Sequence, residues 1–196
     1  MASIQEKDLV FDFPDNWVFT KYDASFHHTQ LLNKVQGFQA VDIVAMPLGQ
    51  GPLLLLEVKD FRKGLNIGGR SANYSEYIAS VANKVLNTVS GLFTAHRVGD
   101  EPLRGFYGRL LKRNTPIQAV FFLEELPLPP SPTYNAQYAY LNARTQLIGM
   151  LSNLGFEVEV YSLTNLPTTE LWTVIDRYVP PTTPPPAIPS RPKKKK

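Results

Sequence analysis

Residues 40–60 read AVDIVAMPLGQGPLLLLEVKD, and this stretch decides how the rest of the chain is interpreted. Two apolar runs, at 43–46 and 53–56, flank a turn rich in proline and glycine, which predicts a β-hairpin. One acid lies in each predicted strand, Asp42 in the first and Glu57 in the second. The strands are otherwise so apolar that both faces should be buried, where an acid is costly unless it has a function.

The end of the second strand gathers ionisable side chains. Alternate residues of a strand share a face, so Glu57 and Lys59 project together while Leu56 and Val58 point the other way. If Asp42 lies opposite Glu57, two carboxylates and an ammonium group meet at one patch. The alternative is a half-exposed sheet in which Lys59 is only a cross-strand partner. We favour the functional interpretation because the neighbouring residues are apolar.

Composition limits the class of protein. The chain has 196 residues, 43% of them apolar, which is enough for one globular domain with a sizeable core. It has no cysteine, which excludes disulfides, zinc–thiolate sites and cysteine nucleophiles. No apolar run reaches the roughly 18 residues of a membrane span, and the first residues lack a signal-peptide pattern. We therefore expect a cytoplasmic protein without a membrane partner.

The net charge of +3 is unevenly distributed. Residues 59–113 hold 10 basic and 4 acidic side chains, a net of +6, whereas residues 1–58 and 114–179 are each at −4. Positive charge just after the hairpin suits a phosphate-bearing ligand, although a solvated basic face gives the same pattern. The candidate nucleic-acid contacts in this range, which are equally explained as a solvated connection, are Arg62, Arg104, Arg109, Lys112 and Arg113.

Apolar periodicity predicts alternating strands and helices. Strands are expected at 8–13, 38–46, 53–60, 117–123 and 156–161, and helices at 24–35, 72–96, before Gly155 and after Thr168 or Thr169. The hairpin is antiparallel, and the later strand–helix–strand crossovers should be parallel. These elements predict the α/β class, with one three-layer α/β/α domain over residues 1–179 around a central mixed sheet.

Residues 180–196 have a different composition. Seven of the thirteen residues 180–192 are proline, and four lysines end the chain. Such a segment cannot pack a core and predicts an extended, disordered tail. It would be a basic arm, a ligand for a partner protein, or a remnant added in cloning.

Asp42 and Glu57 are suited to hold a hard divalent cation. Mg²⁺ prefers oxygen ligands and keeps several waters, so two carboxylates suffice, with the Val58 carbonyl as a third ligand. Such an ion neutralises the anionic oxygens of a phosphodiester and lowers the pKa of a bound water. Lys59 would contact that water or the developing charge on the phosphate.

Asp42, followed by Glu57-x-Lys59 at the end of an apolar strand, resembles the PD-(D/E)XK nuclease superfamily, which includes many restriction endonucleases and Holliday-junction resolvases. The strand end EVKDFR at 57–62 also resembles a group of uncharacterised prokaryotic proteins in which E-[VI]-K-D-[YF]-R is typical. Those proteins carry a K-x-D segment upstream, matched by residues 21–23, and a lysine in the following helix, matched by Lys84. The resemblance covers residues 20–125.

This resemblance implies a restriction-endonuclease-like fold and metal-dependent hydrolysis of phosphodiester bonds in nucleic acid, with DNA as the first expectation. It implies Asp42 and Glu57 as ligands of Mg²⁺ or Mn²⁺ and Lys59 as the catalytic lysine. Asp23 and Lys84 are implied as auxiliary residues, although Lys84 taken alone is more simply a surface lysine. A homodimer would suit an enzyme that cuts both strands.

The chain departs from the superfamily pattern in two ways. Val41 stands where a proline is familiar, and no glutamate lies between positions 24 and 35, where many members add one from the first helix. The second departure keeps an alternative open: a catalytically weak or inactive member that binds nucleic acid or a protein. His27 and His28 are interpreted as surface or packing residues, because adjacent histidines on a helix diverge and no spaced acidic cluster surrounds them.

Overall fold

The strands form two sheets in the computed structural model, which describes residues 2–62, 74–124, 136–168 and 172–179, and only the backbone at 74–76 and 136–140. The larger sheet contains, in spatial order, β3 (Trp17–Lys21), β4 (Ile43–Pro47), β5 (Leu53–Asp60), β6 (Ile117–Glu124) and β7 (Phe156–Tyr161). The smaller sheet contains β1 (Ala2–Glu6), β2 (Leu9–Phe13) and β8 (Thr173–Asp176). The predicted tail, 180–196, lies outside the described residues.

Strand directions in the larger sheet follow the expected pattern. β4 pairs antiparallel with both β3 and β5, and β6 pairs parallel with both β5 and β7. The predicted hairpin and the parallel crossovers are therefore confirmed, and the protein is a mixed α/β protein with a mixed five-stranded sheet. The strand predicted at 8–13 is confirmed as β2, whereas the sequence analysis did not predict β1 and β3.

Three α-helices are described: α1 (Tyr74–Val98), α2 (Arg104–Leu110) and α3 (Ala136–Leu151). The apolar stripe predicted for α1 is buried at Ile78, Val81, Val85 and Leu92. Gly155, expected to end the α3 region, has a φ of +88°, a conformation in which glycine avoids the strain of a Cβ. Among the described helices, none combines the length and the apolar character needed to cross a lipid bilayer.

The two faces of the larger sheet are covered by different structures. The helices pack on one face, where Leu53 and Leu55 of β5 contact the same core as Ile78 and Val85 of α1. The smaller sheet packs on the other face, where Leu54, Leu56 and Val58 share a core with Phe11 and Trp172. Among the described residues, the second outer layer is thus a β-sheet, whereas the sequence predicted helices on both faces.

The helix predicted after Thr168 or Thr169 is wrong, because residues 173–176 form β8, antiparallel to β2. Thr173, Val174 and Ile175 are three consecutive β-branched residues, which favours a strand. Of the expected helical anchors, Trp172 is buried, whereas Ile175 is 49% exposed. Pairing with β2 outweighed the apparent helical spacing.

The helix predicted at 24–35 is also wrong as a continuous element. Residues 22–34 form short 3₁₀ turns and one π-helical turn, His27–Leu31. Leu32 is buried, but Phe26, Leu31 and Val35 are exposed. The step of five residues from Phe26 to Leu31 breaks the spacing of three and four that an α-helix needs for one apolar stripe.

Candidate functional site

Asp42 and Glu57 are brought together by the register of the hairpin. The ladder pairs Ile43 with Leu56, so one step further Asp42 stands opposite Glu57. The Val58 backbone N–H donates a hydrogen bond of 2.7 Å to Asp42 Oδ2, which fixes the position of the aspartate just before β4 begins. Asp42 is 8% exposed and Glu57 is fully buried. The two carboxylates expected from the sequence therefore lie side by side in the interior.

Glu57 is paired with two lysines. Lys59 Nζ and Lys84 Nζ each lie 2.7 Å from Glu57 Oε1. Lys59 shares the helix-facing side of β5 with Glu57, as the alternation of a strand requires, and α1 lies over that side and carries Lys84. The interpretation of Lys84 as a surface lysine is wrong, because its side chain is only 14% exposed and hydrogen-bonds the buried carboxylate.

One oxygen of the Glu57 carboxylate is left over. Both lysines contact Oε1, whereas Oε2 is buried and has no hydrogen-bond partner among the described residues. Buried polar atoms are usually satisfied, so an unpartnered carboxylate oxygen is a place where a ligand or an ion fits.

Burial and charge shift the pKa values of this cluster. Burial, and then the neighbouring Glu57 carboxylate, raise the pKa of Asp42 to about 7, against the opposing effects of the Val58 N–H and Lys84. Burial acts to lower the pKa of Lys59, but Glu57 outweighs it and the pKa lies above its ordinary value. Lys59 is therefore a permanent cation at neutral pH, while Asp42 titrates near neutrality.

Asp23, the suggested auxiliary acid, lies at the edge of this cluster, in the turn after β3. The Tyr22 backbone N–H donates 2.9 Å to the Asp42 carbonyl, which ties this turn to the site. Burial raises the pKa of Asp23, while Lys21 and Lys84 oppose the rise. Asp23 is thus near Lys21 and Lys84. The described residues contain no group of three or more His, Cys, Asp or Glu side chains able to hold a metal ion.

Glu6 is a charged neighbour that the sequence did not indicate. It lies in β1, forms an ion pair of 2.6 Å with Lys21, and contributes to the raised pKa of Asp42. Its proximity depends on β1 pairing with β2 at the start of the chain, and nothing in the local pattern around Glu6 signals this.

A cavity of about 360 Å³ lies beside the carboxylates. Its lining includes both site lysines and residues from the 22–38 segment and α1: Asp23, His28, Phe38, Lys59, Tyr77 and Lys84. His28 is buried and packs among aromatic rings, with 6.1 Å between ring centres to both Tyr22 and Phe38. His27 is a packing residue as expected, since its buried ring lies 3.0 Å through Nε2 from Thr94 Oγ1.

Arg62, a candidate nucleic-acid contact, is bound within the protein. Its guanidinium group forms two hydrogen bonds of 2.8 and 2.9 Å to the Asp60 carboxylate and one of 2.7 Å to Asp176 Oδ2. It also lies 4.6 Å from the centre of the Tyr178 ring and is 8% exposed. Burial acts to raise the pKa of Asp60, but the hydrogen bonds from Arg62 outweigh it and the pKa is lowered. This arginine joins β5 to β8 and presents little surface to a phosphate.

Arg109 is likewise bound within the protein. Its guanidinium group donates to the backbone carbonyls of Pro47, Gly49 and Gly51 in the hairpin turn, and the residue is 8% exposed. That turn lies at the start of β5, about 20 Å along the strand from Glu57 at roughly 3.3 Å per residue. The structure does not bring Arg109 to the carboxylates. The exposed members of the predicted basic set are Arg104, Lys112 and Arg113.

Comparisons with known proteins do not show a family. No family model matches the chain, and no solved structure matches it significantly. The chain is similar to a cysteine–tRNA ligase of Neisseria meningitidis serogroup A / serotype 4A (strain DSM 15465 / Z2491), with 28% identity over 150 residues. That similarity covers 63% of this chain and 21% of the ligase, so the chain spans about a fifth of the ligase's length.

Proposed function

We propose that the protein is a metal-dependent nuclease of the PD-(D/E)XK type that hydrolyses phosphodiester bonds, in DNA as the first expectation. The observation that carries the proposal is the buried Asp42–Glu57 pair with Lys59 2.7 Å from Glu57. A restriction-endonuclease-like fold is proposed with it. Its support is the antiparallel β3–β4–β5 meander followed by α1 and the parallel β6.

The residues present fit a divalent cation. Glu57 Oε2 has no partner among the described residues, and the pKa of Asp42 is raised by burial and by its repulsion from Glu57, which a cation would relieve. The N–H and C=O of one strand residue point to the same side, so the Val58 carbonyl lies on the side of Asp42. Asp42, Glu57 and the Val58 carbonyl would hold Mg²⁺ or Mn²⁺, with waters as the remaining ligands. Bound there, the ion would supply charge neutralisation and a more acidic water.

The chain's own residues have separate roles in this proposal. Lys59, 24% exposed at its side chain, keeps its charge and donates a hydrogen bond toward the charge that develops on the phosphate. Lys84 is a positioning residue, because it holds Glu57 Oε1, while Oε2 has no hydrogen-bond partner among the described residues. The Val58 N–H fixes Asp42 in the same way. A site whose groups are already held in place loses little free energy to reorganisation.

A second candidate function is a non-catalytic member of the fold that binds nucleic acid or a protein. Two observations favour it. Lys59 and Lys84 already neutralise Glu57 within the protein, and the described residues supply no third acidic group that would complete a metal cluster. In this case the lysines stabilise a buried charge without taking part in a reaction.

The test compares cleavage and binding by the full chain. Plasmid DNA, single-stranded DNA and, because of the similarity to a tRNA ligase, tRNA are incubated with Mg²⁺, Mn²⁺ or EDTA. We expect metal-dependent cleavage that Glu57→Gln and Lys59→Met each lower by at least about a hundredfold. The matched control is Glu157→Gln, which removes an exposed carboxylate on β7.

Two results would decide against the nuclease. Folded Glu57→Gln and Lys59→Met proteins that still cut as well as the wild type would remove these residues from the reaction. A wild type that binds DNA with a steep salt dependence, yet cuts none of the three substrates with either metal, would instead support the binding module. Sedimentation of the same preparation tests the predicted homodimer.

A further inference from the structure

The cavity beside the carboxylates has the mixed chemistry of a nucleotide site. Lys59 and Lys84 line it, and both ammonium groups contact Glu57, so the cavity adjoins the proposed phosphodiester site. Two aromatic residues also line the cavity, Phe38 before β4 and Tyr77 in α1. Two cations beside aromatic rings suit a ligand that combines a phosphate with a flat base.

Two buried polar atoms at this cavity lack partners. His28 is 8% exposed, and its Nδ1 has no hydrogen-bond partner among the described residues. Asp23 Oδ1 is also buried and unpartnered within the described part of the chain. Groups of this kind are normally satisfied, so their presence in the wall of a cavity points to a ligand with donors and acceptors on its edge. A nucleobase has such an edge.

The size and the aromatic lining of the cavity favour one unpaired nucleotide. A volume of about 360 Å³ falls at the lower end of the range of small-molecule sites, roughly 300 to 1,000 Å³, and is enough for one nucleotide. Stacking of a base on Phe38 requires that the base is not already stacked and paired within a duplex. A nucleotide reaches such a site only from a single strand, a frayed end or a base turned out of the helix.

We propose that this cavity binds one unpaired nucleotide next to the scissile phosphate, so that the protein prefers single-stranded or locally opened nucleic acid over a blunt duplex. The inference deepens the proposed function and rests on it for the class of substrate. Phe38 stacks on the base, Lys59 and Lys84 face its phosphate, and His28 and Asp23 lie at its edge.

The experiment measures binding without cleavage. Fluorescence anisotropy of the full chain in EDTA compares a labelled oligothymidylate, which forms no secondary structure, with a blunt duplex of equal length. We expect the single strand to bind more tightly, and Phe38→Ala to weaken its binding by about tenfold while leaving duplex binding unchanged. The control is Phe93→Ala, which removes a half-exposed ring of α1 about 13 Å along the helix from Lys84.

A second variant keeps the test decisive if Phe38→Ala does not fold. Phe38→Leu preserves apolar volume but removes the ring, and we expect it to weaken single-strand binding as well. The proposal would be overturned if Phe38→Leu bound oligothymidylate as tightly as the wild type does. It would also be overturned if the wild type bound the single strand and the duplex with equal affinity.

Cleavage assays on the same proteins separate this inference from the nuclease itself. Single-strand preference and a Phe38 effect in a protein that hydrolyses nothing would support the nucleotide cavity and reject the nuclease. Metal-dependent cleavage with no effect of either Phe38 variant on binding would support the nuclease and reject the cavity.

Discussion

Replacing Asp42 by asparagine should change how stability depends on pH. The pKa of Asp42 is raised to about 7 in the folded protein by burial and by Glu57, from 3.8 when exposed. The folded state therefore holds the Asp42 proton more tightly than the unfolded state. Protonated Asp42 contributes to the stability of the protein, and this contribution is fully present below about pH 4. The contribution is lost as the pH rises to about 7. The difference corresponds to about 4 kcal/mol of unfolding free energy, at about 1.4 kcal/mol per pH unit.

The asparagine variant removes this titration while keeping the local hydrogen bond. Its amide oxygen still accepts from the Val58 N–H, but its side chain stays neutral and does not repel Glu57. Asp42→Asn and the wild type should therefore be similarly stable near pH 4, and the variant should be more stable by up to about 4 kcal/mol at pH 8.

Urea unfolding in EDTA at a series of pH values measures this difference. Glu157→Gln is the matched control, because it removes an exposed carboxylate of β7, and its curve should run parallel to that of the wild type. If the curve of Asp42→Asn also runs parallel to the wild type from pH 4 to pH 8, the two carboxylates do not interact as the structure indicates. Added Mn²⁺ should stabilise the wild type at pH 8 and have much less effect on Asp42→Asn.

Three further variants test other contacts of the site and the fold. Lys84→Met leaves Glu57 with Lys59 alone and should lower the unfolding free energy by about 3 kcal/mol in urea unfolding; an unchanged midpoint would show that this ion pair contributes nothing. A lysine at position 62 cannot bridge Asp60 and Asp176 together, so Arg62→Lys should lower the unfolding free energy by about 2 kcal/mol. A change in the salt dependence of DNA binding without loss of stability would instead make Arg62 a phosphate contact. A Cβ at Gly91 would lie 2.7 Å from Leu32 Cδ1 and would also meet the Tyr22 hydroxyl, so Gly91→Ala should destabilise the protein by about 1 to 3 kcal/mol in thermal unfolding. The control is Gly149→Ala in α3, where a Cβ meets no described atom within 4 Å, and this variant should stabilise the protein. Matching effects of the two variants would refute the close contact at Gly91.

The hairpin and its acids were predictable because their signals are local. An apolar run on each side of a proline- and glycine-rich turn specifies two strands, and a period of two residues places Glu57 and Lys59 on one face. The spacing of three and four residues in α1 predicts the helix that covers that face. These patterns repeat within a few residues, so no distant part of the chain is needed to interpret them.

The use of the basic residues was not predictable in this way. The excess of positive charge at 59–113 is real, but four of its members have partners within the protein. Lys59 and Lys84 neutralise Glu57, Arg62 joins Asp60 to Asp176, and Arg109 binds the carbonyls of the hairpin turn. A count of charges cannot distinguish a cation that faces solvent from one that is paired in the interior.

By itself, the sequence determined the hairpin, the antiparallel and parallel directions of β4 to β7, and the two acids with their lysine, because each follows from the geometry of neighbouring residues. Only the tertiary structure decided that a β-sheet covers the second face, that Lys84 reaches Glu57, and that Arg62 pairs with Asp176. The partners in these contacts are up to 114 positions apart. Whether such residues meet depends on how whole elements pack, since hydrophobic burial is non-directional and many local patterns are compatible with it.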